Sequence, residues 1–418
     1  MVASARVAHL TNRGKDYGVE LDKPFTMNME TVRKRKRDIV NSFRGGSESR
    51  IRKTENLDLL MGKARFVGAK EIEVTMNDTG EVKEISGDAI FINAGCRPAP
   101  LRLSGADEVK VLDSTSIMEL AEVPSHLIVI GGGYVGVEFA QMFRRFGANV
   151  TIIQRSQQLL GREDQDIAEE VRKILVEDGL DIVLNQTPLE IHKGTSGEVE
   201  VKLMTQSGAP ARTIRGSHLL NAAGRIPNTS YLSPNTVGIH VDSHGFIKAN
   251  ERLETSVPGI YALGDVKGGP QFTHIAYDDY RIIRHNLITH STYEAISIKD
   301  RLVPYTVFMD PQLGRVGLTE DEAREMYSND EIKVAKMPMS YVARALEMDE
   351  TRGVMKAIVH TQTKRILGAA VLGIEGGELM SMLQLAMMGN VTWDKLQDAV
   401  FAHPTLAESF NNLWGFLK

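Results

Sequence analysis

The sequence predicts an α/β fold joined to a separate C-terminal α+β unit, and three observations carry that prediction. An apolar run, a glycine-rich turn and an apolar-periodic helix follow one another from His126 to Phe146, and a second apolar run at Asn149–Ile153 completes a βαβ unit. Strand and helix patterns keep alternating to about Thr289, as in a parallel sheet with helices on both faces. From Val303 the texture changes to strands at Tyr305–Phe308, Gly353–His360 and Ile366–Gly373, with helices near Thr319–Met326 and Gly377–Met388.

The chain has 418 residues, 42% hydrophobic and 25% charged, with 49 basic against 54 acidic side chains and a net charge of -5. Such a length accommodates roughly two to three domains with a large core. The acidic surplus argues against a nucleic-acid-binding role, which carries a basic one. No run of about 18 apolar residues occurs, and Met1–Val7 is too polar and short for a signal-peptide core, so no membrane partner is expected and the cytoplasm is the expected location. Cys96 is the only cysteine. An internal disulfide, a Cys-x-x-Cys zinc site and a dithiol redox centre are therefore excluded within one copy of this chain, and no metal site is expected.

In order along the chain, the first segment, to about Asn28, opens as though within a helix, with Val2, Ala5, Val7, Ala8 and Leu10 as an apolar stripe and no cap before it. A second helix is expected over Glu30–Ser42. Its run Arg33–Arg37 reads either as a localisation or nucleic-acid signal or, with Val32, Ile39 and Val40 on one stripe, as the solvated face of a packed helix. Strands are expected at Ala64–Val67, Glu71–Val74 and Ala89–Ile92, with a turn at Asn77–Gly80. A new unit opens near Pro124 with His126–Ile130, whose unbroken apolar run suits a buried parallel strand. After Asn149–Ile153 come a helix near Asp166–Glu177, a hairpin-like pair around Gly194–Gly208, strands at Leu219–Ala222 and Ile260–Leu263, and a helix near Tyr277–Thr289.

The turn Gly131-Gly132-Gly133-Tyr134-Val135-Gly136 fits G-x-G-x-x-G and sits after a strand, opening a helix, inside a βαβ unit. Gly131 permits the tight turn, Gly133 lets a pyrophosphate approach the backbone, and Gly136 allows close helix–strand packing. The phosphates then meet the helix N-terminus. Taken alone, the glycines would also suit a purely structural turn.

About 20 residues on, an acidic residue would bind the ribose of NAD. Here the strand ends Ile153-Gln154-Arg155. Gln154 removes the repulsion against a 2′-phosphate and Arg155 offers it a planar fork, so NADP is the expected nucleotide, with NAD possible and a solvated Arg155 the alternative.

Four further motifs bear on function. Thr255-Ser256-Val257-Pro258-Gly259-Ile260-Tyr261-Ala262-Leu263-Gly264-Asp265 ends a strand on a Gly-Asp turn. Asn93-Ala94-Gly95-Cys96-Arg97-Pro98 and Ala222-Ala223-Gly224-Arg225-Ile226-Pro227-Asn228 form a related pair, and His403-Pro404-Thr405-Leu406-Ala407-Glu408 lies near the C-terminus. In this order they resemble the class I pyridine nucleotide-disulfide oxidoreductases, the family of glutathione reductase, dihydrolipoamide dehydrogenase and mercuric reductase. The resemblance covers essentially the whole chain, and Ala3–Leu10 and the C-terminal region are most similar to mercuric-reductase-like proteins.

That resemblance implies two Rossmann-like nucleotide-binding domains, the first incomplete, and a C-terminal α+β dimerisation domain. The implied boundaries are 1–122 for a partial FAD-binding domain, 123–245 for the NAD(P)H domain, 246–302 for the second part of the FAD domain and 303–418 for dimerisation. It also implies roles. Asp265, after Gly264, would hold the flavin ribityl chain, Gly224 would lie in a turn between the flavin and nicotinamide domains, and His274 and Ala276 would pack backbone against the isoalloxazine. Tyr134 resembles the aromatic gate over the flavin, a packing aromatic being the alternative. Glu138 corresponds to an acidic residue that pairs with a lysine beside the flavin ring. His403 would be the acid/base in the partner subunit of a homodimer, oriented by Glu408. Thr405-x-x-Glu408 also reads as a capping box. Mercuric reductases proper usually lack this histidine, which argues against mercuric ion as substrate.

A complete member of the family begins with another flavin glycine motif and a helix carrying Cys-x4-Cys, and this chain is expected to start just after them. Hydride would pass from NADPH to FAD and on to a disulfide or other small-molecule acceptor. As given, the chain is expected to hold FAD poorly and to be inactive toward disulfides. Two alternatives are a non-enzymatic nucleotide-binding dimer and a dithiol-independent NADPH-flavin oxidase.

Overall fold

The computed structural model describes residues 1–289 and 294–418. The fold is mixed α/β, and the chain forms two compact units. One comprises Met1–Lys36, Pro100–Ala223 and Pro304–Lys418, the other Arg37–Ala99 and Gly224–Val303.

In the first unit the βαβ pattern lies at the heart of a five-stranded parallel sheet, ordered Val111–Leu112, His218–Asn221, His126–Ile130, Asn149–Ile153, Asp181–Val183. Leu127, Ile128 and Val129 are fully buried, as an unbroken apolar run covered on both faces must be. The helix Tyr134–Phe146 packs Val137, Ala140 and Phe143 into the same core. It stops at Gly147, whose left-handed backbone (φ 111°) lets its N–H meet the Arg144 carbonyl. The expected hairpin-like pair is one strand short. Gln186–Lys193, Val199–Thr205 and Pro210–Gly216 form a three-stranded antiparallel sheet, and the third strand escaped notice because Ile214 is its one buried large apolar residue.

The opening helix, Val2–Asn12, buries Ala5 and Ala8 but leaves Val7 and Leu10 exposed, so the expected apolar stripe is narrower than the sequence suggests. The second helix runs over Met29–Lys53, well beyond Ser42. Met29 and Val32 are buried, whereas Ile39 and Val40 are exposed. The basic run is partly engaged: Arg33 Nη1 donates to the Glu119 carbonyl at 3.0 Å, and Lys36 pairs with the Glu119 carboxylate.

The C-terminal part of this unit is an antiparallel sheet ordered Tyr305–Val307, Gln312–Gly317, Ile366–Gly373, Val354–His360, Ile332–Pro338. Gln312–Gly317 does not read as a strand, because it carries two glycines and an arginine. Both oddities have structural reasons. A Cβ on Gly314 would lie 2.6 Å from the Gly376 carbonyl oxygen, and Arg315 is buried in an ion cluster. The helix Gly376–Met388 covers the sheet with Leu379, Met380 and Leu383 and leaves Met382, Leu385 and Met388 exposed.

The second unit holds the antiparallel strands Gly62–Gly68, Glu71–Met76 and Val82–Ser86, the parallel pair Ile90–Ile92 and Ile260–Ala262, and the antiparallel pair Cys96–Pro98 and Arg225–Pro227. The expected helix at Tyr277–Thr289 begins earlier, as Thr273–Arg284, and ends in a π-helical turn, His285–Thr289. No helix of the described residues is long and apolar enough to cross a membrane.

Candidate nucleotide and proton-transfer sites

The glycine loop is built by steric necessity. Gly131 has φ 107°, and a Cβ there would lie 2.6 Å from the Ala222 carbonyl oxygen. A Cβ on Gly136 would lie 1.9 Å from the Gly131 carbonyl oxygen. Gly133 differs from both: nothing lies within 4 Å of its missing Cβ. It caps the helix without a side-chain hydrogen bond, and the dipole of a helix N-terminus favours an anion there.

Gln154 has a use that the sequence does not suggest. Its Oε1 accepts the Gly132 N–H at 3.2 Å, while Nε2 donates to Ser156 Oγ at 2.6 Å and to the Gln158 carbonyl at 3.2 Å. The carboxamide thus clamps the loop. Arg155, beside it, is exposed.

Tyr134, the first residue of the helix, is tethered by its hydroxyl, which donates to Tyr305 Oη at 3.2 Å. Tyr305 in turn donates to Glu163 Oε1 at 2.5 Å. Burial and the Glu163 charge raise the pKa of both phenols. Glu163 and Asp164 meet Arg315 at 2.6 and 2.7 Å, and all three side chains are nearly inaccessible. Burial works against the Arg315 charge, but the two carboxylates more than offset it and raise its pKa. One turn beyond Tyr134, Glu138 accepts the Phe308 N–H at 2.8 Å and has no cation beside it among the described residues. Burial raises its pKa.

His403 and Glu408 come together. Nδ1 lies 3.1 and 3.0 Å from the two carboxylate oxygens, with the histidine side chain 73% exposed. A carboxylate cannot donate, so Nδ1 carries the proton and Nε2 is left to solvent. The Glu408 side chain is not used as a cap. Thr405 Oγ1 accepts the Glu408 N–H at 3.3 Å, half of a capping box, and the helix starts later, at Ser409.

In the second unit, Gly264 has φ 68° and precedes Asp265, whose carboxylate has Arg225 Nη2 at 3.8 Å and accepts no hydrogen bond among the described residues. Gly224, with φ 138°, has nothing within 4 Å of its missing Cβ. Ala276 stands beside Gly264, and the His274 ring stacks on Phe272 with centroids 5.3 Å apart. Cys96 donates to the Asp265 carbonyl at 3.4 Å, and burial followed by the Asp265 charge pushes its thiol up to about 11. Little thiolate forms near neutral pH at such a value, so Cys96 is a weak nucleophile. Asp279, buried behind Gly264, escaped the sequence reading, since nothing in a helical run marks a carboxylate that points inward.

Comparison with known proteins gives consistent matches over both parts of the chain. Residues 10–279 match the family model described as pyridine nucleotide-disulphide oxidoreductase, and residues 303–414 match the dimerisation domain of the same family. The probable pyridine nucleotide-disulfide oxidoreductase RclA of Escherichia coli K12 is 38% identical over 385 residues, covering 92% of this chain and 84% of that protein. A mercuric reductase of Staphylococcus aureus is 32% identical, covering 94% and 71%. A solved structure titled as the HOCl-induced flavoprotein disulfide reductase RclA from Escherichia coli superposes with a TM-score of 0.83 at 38% identity, over 92% of this chain and 85% of that one.

Proposed function

The chain belongs to the pyridine nucleotide-disulphide oxidoreductase family, a family of enzymes, and from that premise we infer that it is a cytoplasmic FAD-dependent oxidoreductase taking hydride from NADPH. The observation that carries this is the open face of Gly133 above an uncapped helix N-terminus, a cradle into which a pyrophosphate fits and which a Cβ would narrow. NADPH is favoured over NADH because Gln154 is occupied with its own loop and leaves the exposed Arg155 to meet a 2′-phosphate. The residues present also fit a flavin: the Asp265 carboxylate, with Arg225 Nη2 at 3.8 Å, accepts no hydrogen bond among the described residues, and Gly224 leaves room beside the backbone.

Bound FAD would supply a two-electron carrier between the nicotinamide and an oxidised acceptor. The chain's own residues would do the rest. Gly131, Gly133 and Gly136 hold the pyrophosphate and Arg155 the 2′-phosphate. Asp265 would take the ribityl hydroxyls, with the backbone at His274 and Ala276 beside the ring. Tyr134 would serve the nicotinamide, with Glu138 one turn further along its helix. His403, kept by Glu408 in the tautomer with Nε2 free, would move a proton at that atom for an acceptor bound at the partner protomer's site. Dimerisation is assigned to the C-terminal domain, where Met382, Leu385 and Met388 form an exposed apolar row.

Cys96 favours a second reading for the acceptor step, since a lone thiol with a pKa pushed up to about 11 cannot act as a dithiol. NADPH oxidation should then proceed to a quinone or dye acceptor regardless of thiol alkylation. The test is NADPH consumption by the FAD-supplemented protein with a dye and with an aromatic disulfide as acceptors. No oxidation with either would refute the enzymatic reading.

A further inference from the structure

Asp279 lies on the inner side of the helix Thr273–Arg284, with its side chain 0% exposed. A buried carboxylate is costly unless it is fully paired, and this one is. Oδ2 accepts the Gly264 N–H at 2.8 Å and has Lys267 Nζ at 3.3 Å, while Oδ1 receives Arg301 Nη1 at 2.6 Å. Arg301 also reaches Asp278 at 3.3 Å, so two cations balance two carboxylates.

The peptide held in this way is the one that presents Asp265. Gly264 sits at φ 68°, and a Cβ there would lie 2.7 Å from Asn93 Oδ1 and 3.2 Å from the Ala276 Cβ. The turn therefore has no slack on its inner side, and the hydrogen bond from the Gly264 N–H to Asp279 is buried. The Asp265 carboxylate, by contrast, is partly accessible and accepts no hydrogen bond among the described residues.

We propose that Asp279, charged and fixed by Lys267 and Arg301, is a positioning residue that locks the Gly264 peptide so that Asp265 meets the hydroxyls of a polyol chain, the ribityl of a flavin, in a single geometry. This rests on the flavin reading above. An asparagine could not replace it. Its one acceptor oxygen cannot serve three donors, and its amide hydrogens would face a cation.

The experiment compares wild type with Asp279→Asn in two readouts. In the ligand-free protein, amide exchange at Gly264 should quicken by at least about tenfold in the variant, while exchange in His126–Ile130 stays unchanged. In a fluorescence titration with FAD, the variant's Kd should rise at least about tenfold. A merely structural ion cluster would lower global stability and leave FAD affinity and the visible circular dichroism of the bound flavin unchanged, and that outcome overturns the proposal. So does unaltered exchange at Gly264. If wild type itself fails to bind FAD, the flavin reading falls, whereas the lock on Gly264 is still judged by exchange alone. Should Asp279→Asn not fold, Arg301→Gln loosens one carboxylate oxygen in a protein that keeps Asp279. Unchanged exchange and affinity there contradict the proposal equally.

Discussion

Gly131 and Gly136 meet backbone to backbone: a Cβ on Gly136 would stand 1.9 Å from the Gly131 carbonyl oxygen. The strand end and the helix start are thus pressed together, while Gly133, between them, faces open space. The two glycines should respond differently to alanine. Gly136→Ala costs at least about 1–3 kcal/mol in urea unfolding, because backbone must move. Gly133→Ala leaves stability near wild type, since its extended backbone (φ -79°, ψ -175°) suits alanine, yet lowers NADPH affinity by calorimetry. Equal effects of the two on stability would refute this division of labour.

Arg155 is assigned the 2′-phosphate. Arg155→Ala should weaken NADPH binding by about one to two orders of magnitude and leave NADH binding nearly unchanged. Paired titrations with the two nucleotides read this directly, and parallel losses would remove Arg155 from the phosphate site.

Arg315 joins Glu163 and Asp164 with almost no access to solvent. Removing one partner of such a cluster strands the others as buried charges. Arg315→Ala should therefore cost about 3–5 kcal/mol in urea unfolding. A loss near that of a surface ion pair, below about 1 kcal/mol, would show that the cluster is hydrated.

His9 supplies a pH dependence. Its Nε2 is buried without a hydrogen-bond partner among the described residues, and burial, followed by the Arg145 charge, holds its pKa below the ordinary 6.5. Arg352 acts in the same direction, while Asp178 and Asp310 oppose. The unfolded chain therefore takes up the proton first, so this residue's share of stability is present above pH 6.5 and is lost as pH falls below it. Unfolding free energies measured between neutral and mildly acid pH should fall less steeply in His9→Phe than in wild type. Parallel curves would show that His9 does not titrate in this range.

What the sequence disclosed was whatever chemistry forces upon neighbours in the chain. The glycine loop was legible because a tight turn and close helix packing each demand a missing Cβ at a fixed spacing. His403 and Glu408 were legible as a pair because they stand 5 residues apart. Partners that meet across long separations were not legible. Tyr134 and Tyr305 are 171 residues apart, and Arg315 lies 152 from Glu163. The strand Gln312–Gly317 was missed for the same reason. Its glycine answers to a helix and its arginine to a loop, neither of which its own pattern reveals.

The central claim is that this chain delivers hydride from NADPH to a flavin held beside Asp265. An anaerobic titration of the FAD-supplemented protein with NADPH, following the visible flavin band, tests it most directly. The account predicts that the band bleaches in proportion to NADPH added, with NADH much less effective and thiol alkylation without effect. A band that persists under excess NADPH, while both nucleotides are shown to be bound, would contradict it.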